Sequence, residues 1–287
     1  MKRIYELLML NLVVVFTIVM IPASDASSHP LTSELYNLLT DKIDKDPTNS
    51  ELYLKRGEVL RNSGQWDKAL LDFERSSQYN PNLNQIFLAK GLLFQEAGWP
   101  HMAELFLRKY LSTTPNHPKA LLYLARSLSA QGRNIEAVDT YTEFLNINPN
   151  QKPDYFVERA KVQVALERYD DAVKGLDEAL NLLGPITSLN RMALEVQIKN
   201  KSYNAALIRL TSLINNSPQR EVWMMRRGEV FELMGNIKEA RSSFEEALIG
   251  IEKRPEHRRR VPALVGLKEK IKYSLARIEG ETGNSAN

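Results

Sequence analysis

Cysteine is absent from the chain. That excludes disulfides, thiolate metal ligands, a cysteine nucleophile and lipid attachment through a cysteine. The histidines are only His29, His101, His117 and His257, and they are scattered, so a metal or hydrolytic centre has no pair to start from. Glycine and proline number 13 each in 287 residues, too little turn material for a many-stranded β-sandwich. Charge of one sign is missing as well: 38 Lys and Arg face 35 Asp and Glu, a net of +3. No whole-molecule field marks a nucleic-acid binder. The glycines occur singly, and no G-x-S-x-G, G-x-x-x-x-G-K or H-E-x-x-H run is present. Acidic pairs such as Asp170-Asp171 and Glu245-Glu246 fall at helix starts or exposed faces, where acids are ordinary. The expectation is a helical protein with no enzymatic activity, no cofactor and no metal; an apolar share of 43% rules out a disordered chain.

Long apolar runs are also scarce. The one present, Leu7 to Ile21, follows Lys2 and Arg3 and ends at Pro22, before Ala23-Ser24-Asp25-Ala26. A basic start, an apolar core and a small-residue exit make the secretory signal pattern, with residues 1–26 removed after Ala26. An uncleaved membrane anchor is the competing reading, although a span wants about 20 apolar residues and this run is shorter. Either way the chain is expected to be exported, to the periplasm.

The remainder is periodic. Alanines recur at Ala69, Ala103, Ala137, Ala172, Ala206 and Ala240, at intervals of 34, 34, 35, 34 and 34. Twelve residues before each stand Gly57, Gly91, Ala125, Ala160, Leu194 and Gly228; four after each come Phe73, Leu107, Tyr141, Leu176, Leu210 and Phe244. Pro81, Pro115, Pro149 and Pro218 lie twelve residues after their alanines. A unit of this length holds two helices and two short turns. Small residues at two fixed places let the paired helices cross closely, and the large residue one turn past the alanine packs beside that crossing. Gly64, Gly98, Gly132 and Gly235 suit a left-handed helix end. Trp66, Trp99 and Trp223 fall at packing or turn positions.

This pattern resembles the tetratricopeptide repeat, whose unit reads W-x2-L-G-x2-Y, then Ala, Phe and Pro. Residues 50–83 carry it best, with Tyr53, Gly57, Leu60, Gly64, Trp66, Ala69, Phe73 and Pro81. Six units are expected over 50–254, starting near 50, 84, 118, 153, 187 and 221. The fifth departs most, with Leu194 in place of the small residue and Lys201 in place of the turn glycine. Residues 27–49, with Leu35, Leu38, Leu39 and Ile43, read as a lid helix. Residues 255–287 read as a basic linker, a capping helix from Pro262 with Leu264, Leu267, Ile271, Leu275 and Ile278 on one stripe, and a short tail from Gly280. The resemblance implies an all-α right-handed superhelical solenoid of about fourteen helices.

It also implies a function: binding of another protein or an extended peptide in a concave groove lined by the first helix of each unit. Carried over to positions 5, 9 and 12 of the units, the groove is an apolar floor of Leu88, Leu92, Leu122, Val157 and Val164. Three cations, Arg126, Lys161 and Arg191, stand in its middle, and Glu195, Glu229 and Glu232 at its C-terminal end. Apolar surface beside fixed charge suits a peptide or partner helix; the equal alternative is that Arg126, Lys161, Glu195 and Glu229 neutralise one another between repeats. The Lys-and-Asn carboxylate clamp of some co-chaperone members is absent, since position 5 has no Lys and position 9 no Asn. A second surface is the run Lys253, Arg254, Arg258, Arg259 and Arg260. It reads either as a dock for an anionic membrane or protein surface or as a solvated connector. No aromatic residues interleave it, so nucleic acid is not an expected partner.

Overall fold

The computed structural model describes residues 30–147, 149 and 152–284; the predicted signal segment lies outside them. Among the described residues there are 15 helices and no strand, so the fold is all-α and built from helix-turn-helix repeats. The chain forms two compact units, one ending at Gly98 and one beginning at Trp99.

The first unit holds α1 (Pro30–Lys45), α2 (Ser50–Asn62), α3 (Trp66–Tyr79) and α4 (Gln85–Glu96). Leu54, Leu60, Ala69, Phe73, Ile86, Ala89 and Leu93 form its core, with Tyr36 of α1 packed against it. On α1, Leu39 and Ile43 are buried while Leu35 and Leu38 remain about half exposed. The second unit runs through α5 (Pro100–Leu111), α6 (Pro118–Ala130), α7 (Asn134–Ile147), α8 (Pro153–Ala165), α9 (Tyr169–Leu183), α10 (Thr187–Lys199) and α11 (Tyr203–Asn216). It continues with α12 (Arg220–Leu233), α13 (Ile237–Glu252), the single turn α14 (Glu256–Arg259) and α15 (Pro262–Asn284). Phe244, Ala247 and Ile251 of α13 are covered by Ile271 and Ile278 of α15, flanked by Leu264, Leu267 and Leu275. This last helix passes Gly280 and ends at Asn284, where a tail was expected. Gly280 and Gly283 lie in this last stretch; each glycine costs a helix only about 1 kcal/mol and does not stop it.

The six phased alanines have no exposed surface at all. Their partners set how near the helices come. A Cβ on Gly57 would stand 2.5 Å from Phe73 Cε1, and one on Gly228 would stand 2.5 Å from Phe244 Cε1. Glycine on the first helix thus makes room for phenylalanine sixteen residues on. Where the first helix carries Ala160 the second carries Leu176, and Leu194 faces Leu210 in one buried cluster. The irregular fifth repeat therefore keeps its core by pairing two residues of middle size. Of the tryptophans only Trp223 is buried; Trp66 and Trp99, at the turn, are 40% and 51% exposed.

The turns inside the hairpins share one geometry. Gly64, Gly132 and Gly235 have φ of 72°, 73° and 76°. The next residue in each case (Gln65, Arg133, Asn236) donates its N–H to the carbonyl five back, at 2.8–3.0 Å. Arg168 and Ser202 make the same bond, to Gln163 at 2.9 Å and Gln197 at 2.8 Å, although Glu167 (φ 58°) and Lys201 (φ 57°) stand where the others have glycine. A side chain in that region is disfavoured by about 1–2 kcal/mol.

Two stability predictions follow from these contacts. Gly57→Ala pushes a methyl into the Phe73 ring and should cost about 1–3 kcal/mol. Combined with Phe73→Leu it should cost less than the sum of the two single changes, and denaturant melts of the four proteins in the cycle check this. Lys201→Gly should instead raise stability by about 1 kcal/mol, because it relieves the left-handed backbone; an unchanged or lower midpoint in the same melts contradicts the strain.

Candidate functional site

The first helices of the second unit, α6, α8, α10 and α12, carry most of the predicted groove residues. Each starts at a proline or polar residue, and their groove positions differ in surroundings: Ile198 on α10 packs against the cluster of Ala206 and Leu210, and Met225 on α12 against that of Ala240 and Phe244. Their charges do not stand alone. Arg126 on α6 donates from Nε and Nη2 to the two carboxylate oxygens of Glu158 on α8, at 2.9 and 2.7 Å. Its guanidinium lies 5.4 and 5.7 Å from the ring centres of Tyr123 and Tyr155. Tyr141 donates its hydroxyl to the same Glu158 at 3.0 Å. The bonds it donates to Glu158 hold Arg126 above the usual guanidinium range against the opposing effect of burial. Burial, then the Glu158 charge, pushes the Tyr141 phenol up. Arg126 is thus a clamp between neighbouring repeats, with its side chain 32% exposed.

The same register recurs. Glu195 on α10 pairs with Arg226 on α12, which also holds Glu229. Glu232 takes Arg277 from α15 at 2.7 Å. So the acidic end of the groove is neutralised internally, with partners other than those named from the sequence. In both inter-repeat pairs, position 9 of one repeat meets position 6 of the next (Arg126 with Glu158, Glu195 with Arg226). Lys161 is at position 9, but Met192 occupies position 6 of the following repeat. Lys161 and Arg191 are both exposed and make no ion pair among the described residues. Beside them on α8, Val157 and Val164 are half-buried.

The apolar floor is thinner than expected. Leu122 is 5% exposed and Leu92, in the first unit, 4%, so both serve packing; Leu88 there is half-buried.

Within the C-terminal basic run, Arg254 is structural. It grips the buried Glu221 at 3.0 and 2.6 Å and the Pro218 carbonyl at 2.6 Å. Burial would push Glu221 up, but the Arg254 bonds win and hold it below the usual carboxylate range. Arg259 pairs with Glu252 at 3.0 Å, and Arg260 with Glu256. Lys253 and Arg258 are exposed with no ion pair among the described residues. Among those residues no group of three or more His, Asp or Glu could hold a metal ion, and no helix is long and apolar enough to cross a membrane.

Comparison with known proteins agrees with the repeat. Family models of the tetratricopeptide repeat match residues 43–70 and 119–150. The chain is 26% identical over 205 residues to tetratricopeptide repeat protein 13 of Homo sapiens, covering 71% of this chain and 20% of that protein. It is 23% identical over 198 residues to the TPR repeat-containing protein YpiA of Bacillus subtilis, covering 69% and 46%. The chain thus spans less than half the length of either relative. A solved tetratricopeptide repeat protein from Parabacteroides merdae superimposes with a TM-score of 0.52 at 14% identity, over 84% of this chain and 92% of that one, a likeness of fold alone.

The clamp has a measurable consequence. Glu158→Gln removes a charge from both Arg126 and the Tyr141 hydroxyl, and should lower stability by about 1–3 kcal/mol. Lys161→Gln, with no internal partner to lose, should leave it within about 0.5 kcal/mol. Thermal melts of both variants compare the two.

Proposed function

We propose that this protein is a non-catalytic scaffold that binds an acidic, partly apolar polypeptide segment on the first-helix face of its second unit. Tetratricopeptide repeats in the relatives point to a protein–protein interaction scaffold; the face and the partner chemistry follow from the charges on α8 and α10. One observation carries it. Lys161 and Arg191 are the two groove cations left without an internal acid, and they lie alongside the half-buried Val157 and Val164. Unpaired exposed charge contributes little to folding and is free to select a partner by complementary potential. The signal-like segment 1–26 supports export to the cell envelope, where the partner would be met.

A double reversal, Lys161→Glu with Arg191→Glu, should sharply reduce capture of the partner from an envelope extract while leaving helicity intact, since like charges across an interface cost several kcal/mol. Wild-type capture should also weaken as salt rises. The basic C-terminal segment is the competing surface. Changing Lys253 and Arg258 to Ser, which spares the structural Arg254, should leave capture unchanged. Loss of the partner with that variant and not with the groove reversal moves the function to the C-terminal segment.

A further inference from the structure

Away from the proposed groove, the second unit has a cleft of about 930 Å³ between α7 and α9, floored by Arg159 and Gln163 of α8. Arg159 stands at the seventh position of its repeat, a place that carries a cation in four of the six repeats. Elsewhere that cation is consumed. Arg56 donates to both oxygens of Asp72, at 2.7 and 2.8 Å. Lys90 reaches Glu74 at 2.9 Å, and Arg227 bonds Ser243 at 3.1 Å and Glu246 at 2.6 Å.

Arg159 has none of this. Asp72 and Ser243 occupy position 23 of their repeats, and the residue there in the fourth repeat is Gly175. The guanidinium lies over that bare backbone, with Nη2 2.4 Å from where a Cβ would be. Arg159 Nε is buried without a hydrogen-bond partner, and so is Oε1 of Gln163 one turn further on. Burial holds Arg159 below the usual guanidinium range, and the charge of Glu178 offsets this only in part. Glu178 stands where Glu246 stands in the sixth repeat, yet it makes no ion pair with Arg159. A buried donor left unmade costs its full desolvation, so such a group is strongly receptive to an acceptor from outside.

The rim of the cleft selects among acceptors. Among the described residues, Asp139, Glu143 and Glu178 are exposed there without ion pairs, against one unpaired cation, Lys174. A free anion would meet three carboxylates on its way in. A carboxylate carried between basic residues would not.

We propose that this cleft is a second docking site, taking an acidic side chain of a partner polypeptide onto Arg159 while basic residues flanking that side chain face Asp139, Glu143 and Glu178. The incoming carboxylate does for Arg159 what Asp72 does for Arg56. The partner here is locally basic around one acid, the opposite pattern to that proposed for the groove, so the two sites are separable.

The test follows the Arg159 Nε–Hε resonance of the full chain by NMR during titration with an acetylated, amidated Lys-Ala-Glu-Ala-Lys peptide. A saturable shift is expected, with affinity at least about tenfold weaker for the same peptide carrying Gln in place of Glu, since a charge-assisted pair is replaced by a neutral one. Gly175→Asp supplies an internal carboxylate. The Arg159 side-chain end can move aside for it, and this variant should show the shifted resonance without peptide and no further response. Equal affinity for the Gln peptide, or no saturation, overturns the proposal. So does acetate alone saturating the resonance as readily as the peptide, which would leave an anion site without a polypeptide partner. Glu178→Gln serves as the internal control. If it moves the Arg159 resonance of the free protein as far as Gly175→Asp does, Glu178 is the partner in solution and the site is already filled.

Discussion

The close crossing of the two helices in each repeat is the constraint on which everything else rests. It requires a residue no larger than alanine on the second helix, and the six phased alanines are all fully buried. Once the crossing is fixed, the residue sixteen positions after the first-helix contact must fill whatever space that contact leaves. Glycine is matched by phenylalanine at Gly57 and Gly228, and leucine by leucine at Leu194. A large residue thus stands opposite a glycine at some crossings and two residues of middle size meet at another, and each arrangement is packed in its own way. Each repeat therefore settles its own core, and neighbours need only agree at their shared faces.

Charge is arranged by the same spacing. Position 9 of one repeat faces position 6 of the next, so Arg126 meets Glu158 and Glu195 meets Arg226. These pairs are partly shielded and bidentate or shared, which makes them more than ordinary surface contacts. They also decide which charged groups remain for other molecules. A cation at position 9 is available only where the following repeat offers nothing opposite in charge, as Met192 does for Lys161.

Much of the fold was legible in the sequence because steric demands recur in fixed phase. The small and large residues of the crossings announce themselves by type and spacing, and even the fifth repeat shows through Ala206 and Pro218. The charged site was less legible. Arg126 reads as a free groove cation because its partner Glu158 lies 32 residues away, in a position the groove pattern does not include. Arg254 reads as part of a basic patch because Glu221, 33 residues earlier, opens the same repeat. Glu167 escaped notice as a left-handed residue since no single-sequence signal distinguishes a glutamate forced into that region from one in an ordinary turn. For Arg126 the missing information was a contact between two repeats, for Arg254 one between the two ends of a repeat, and for Glu167 a backbone angle, whereas the spacing rules describe the packing of paired helices.

That difference gives a way to find binding surfaces in such a chain. If repeats satisfy their own polar groups by default, then groups left over where the pairing rule breaks are the ones open to a partner. The rule breaks twice on the same helix. On α8, Lys161 lacks its acid because the next repeat carries Met192, and Arg159 lacks its own because the paired helix carries Gly175. One failure leaves an exposed charge, which costs the fold almost nothing. The other leaves a buried donor unmade, which costs the fold appreciably. Gly175 lies at position 23, which carries Asp72 in the first repeat and Ser243 in the sixth, so an acidic or hydroxyl side chain has a place there once the end of Arg159 moves aside. Stability alone would favour either one over glycine. The fourth repeat is thus the one where both pairings fail, and α8 is the element on which the two proposed docking surfaces meet.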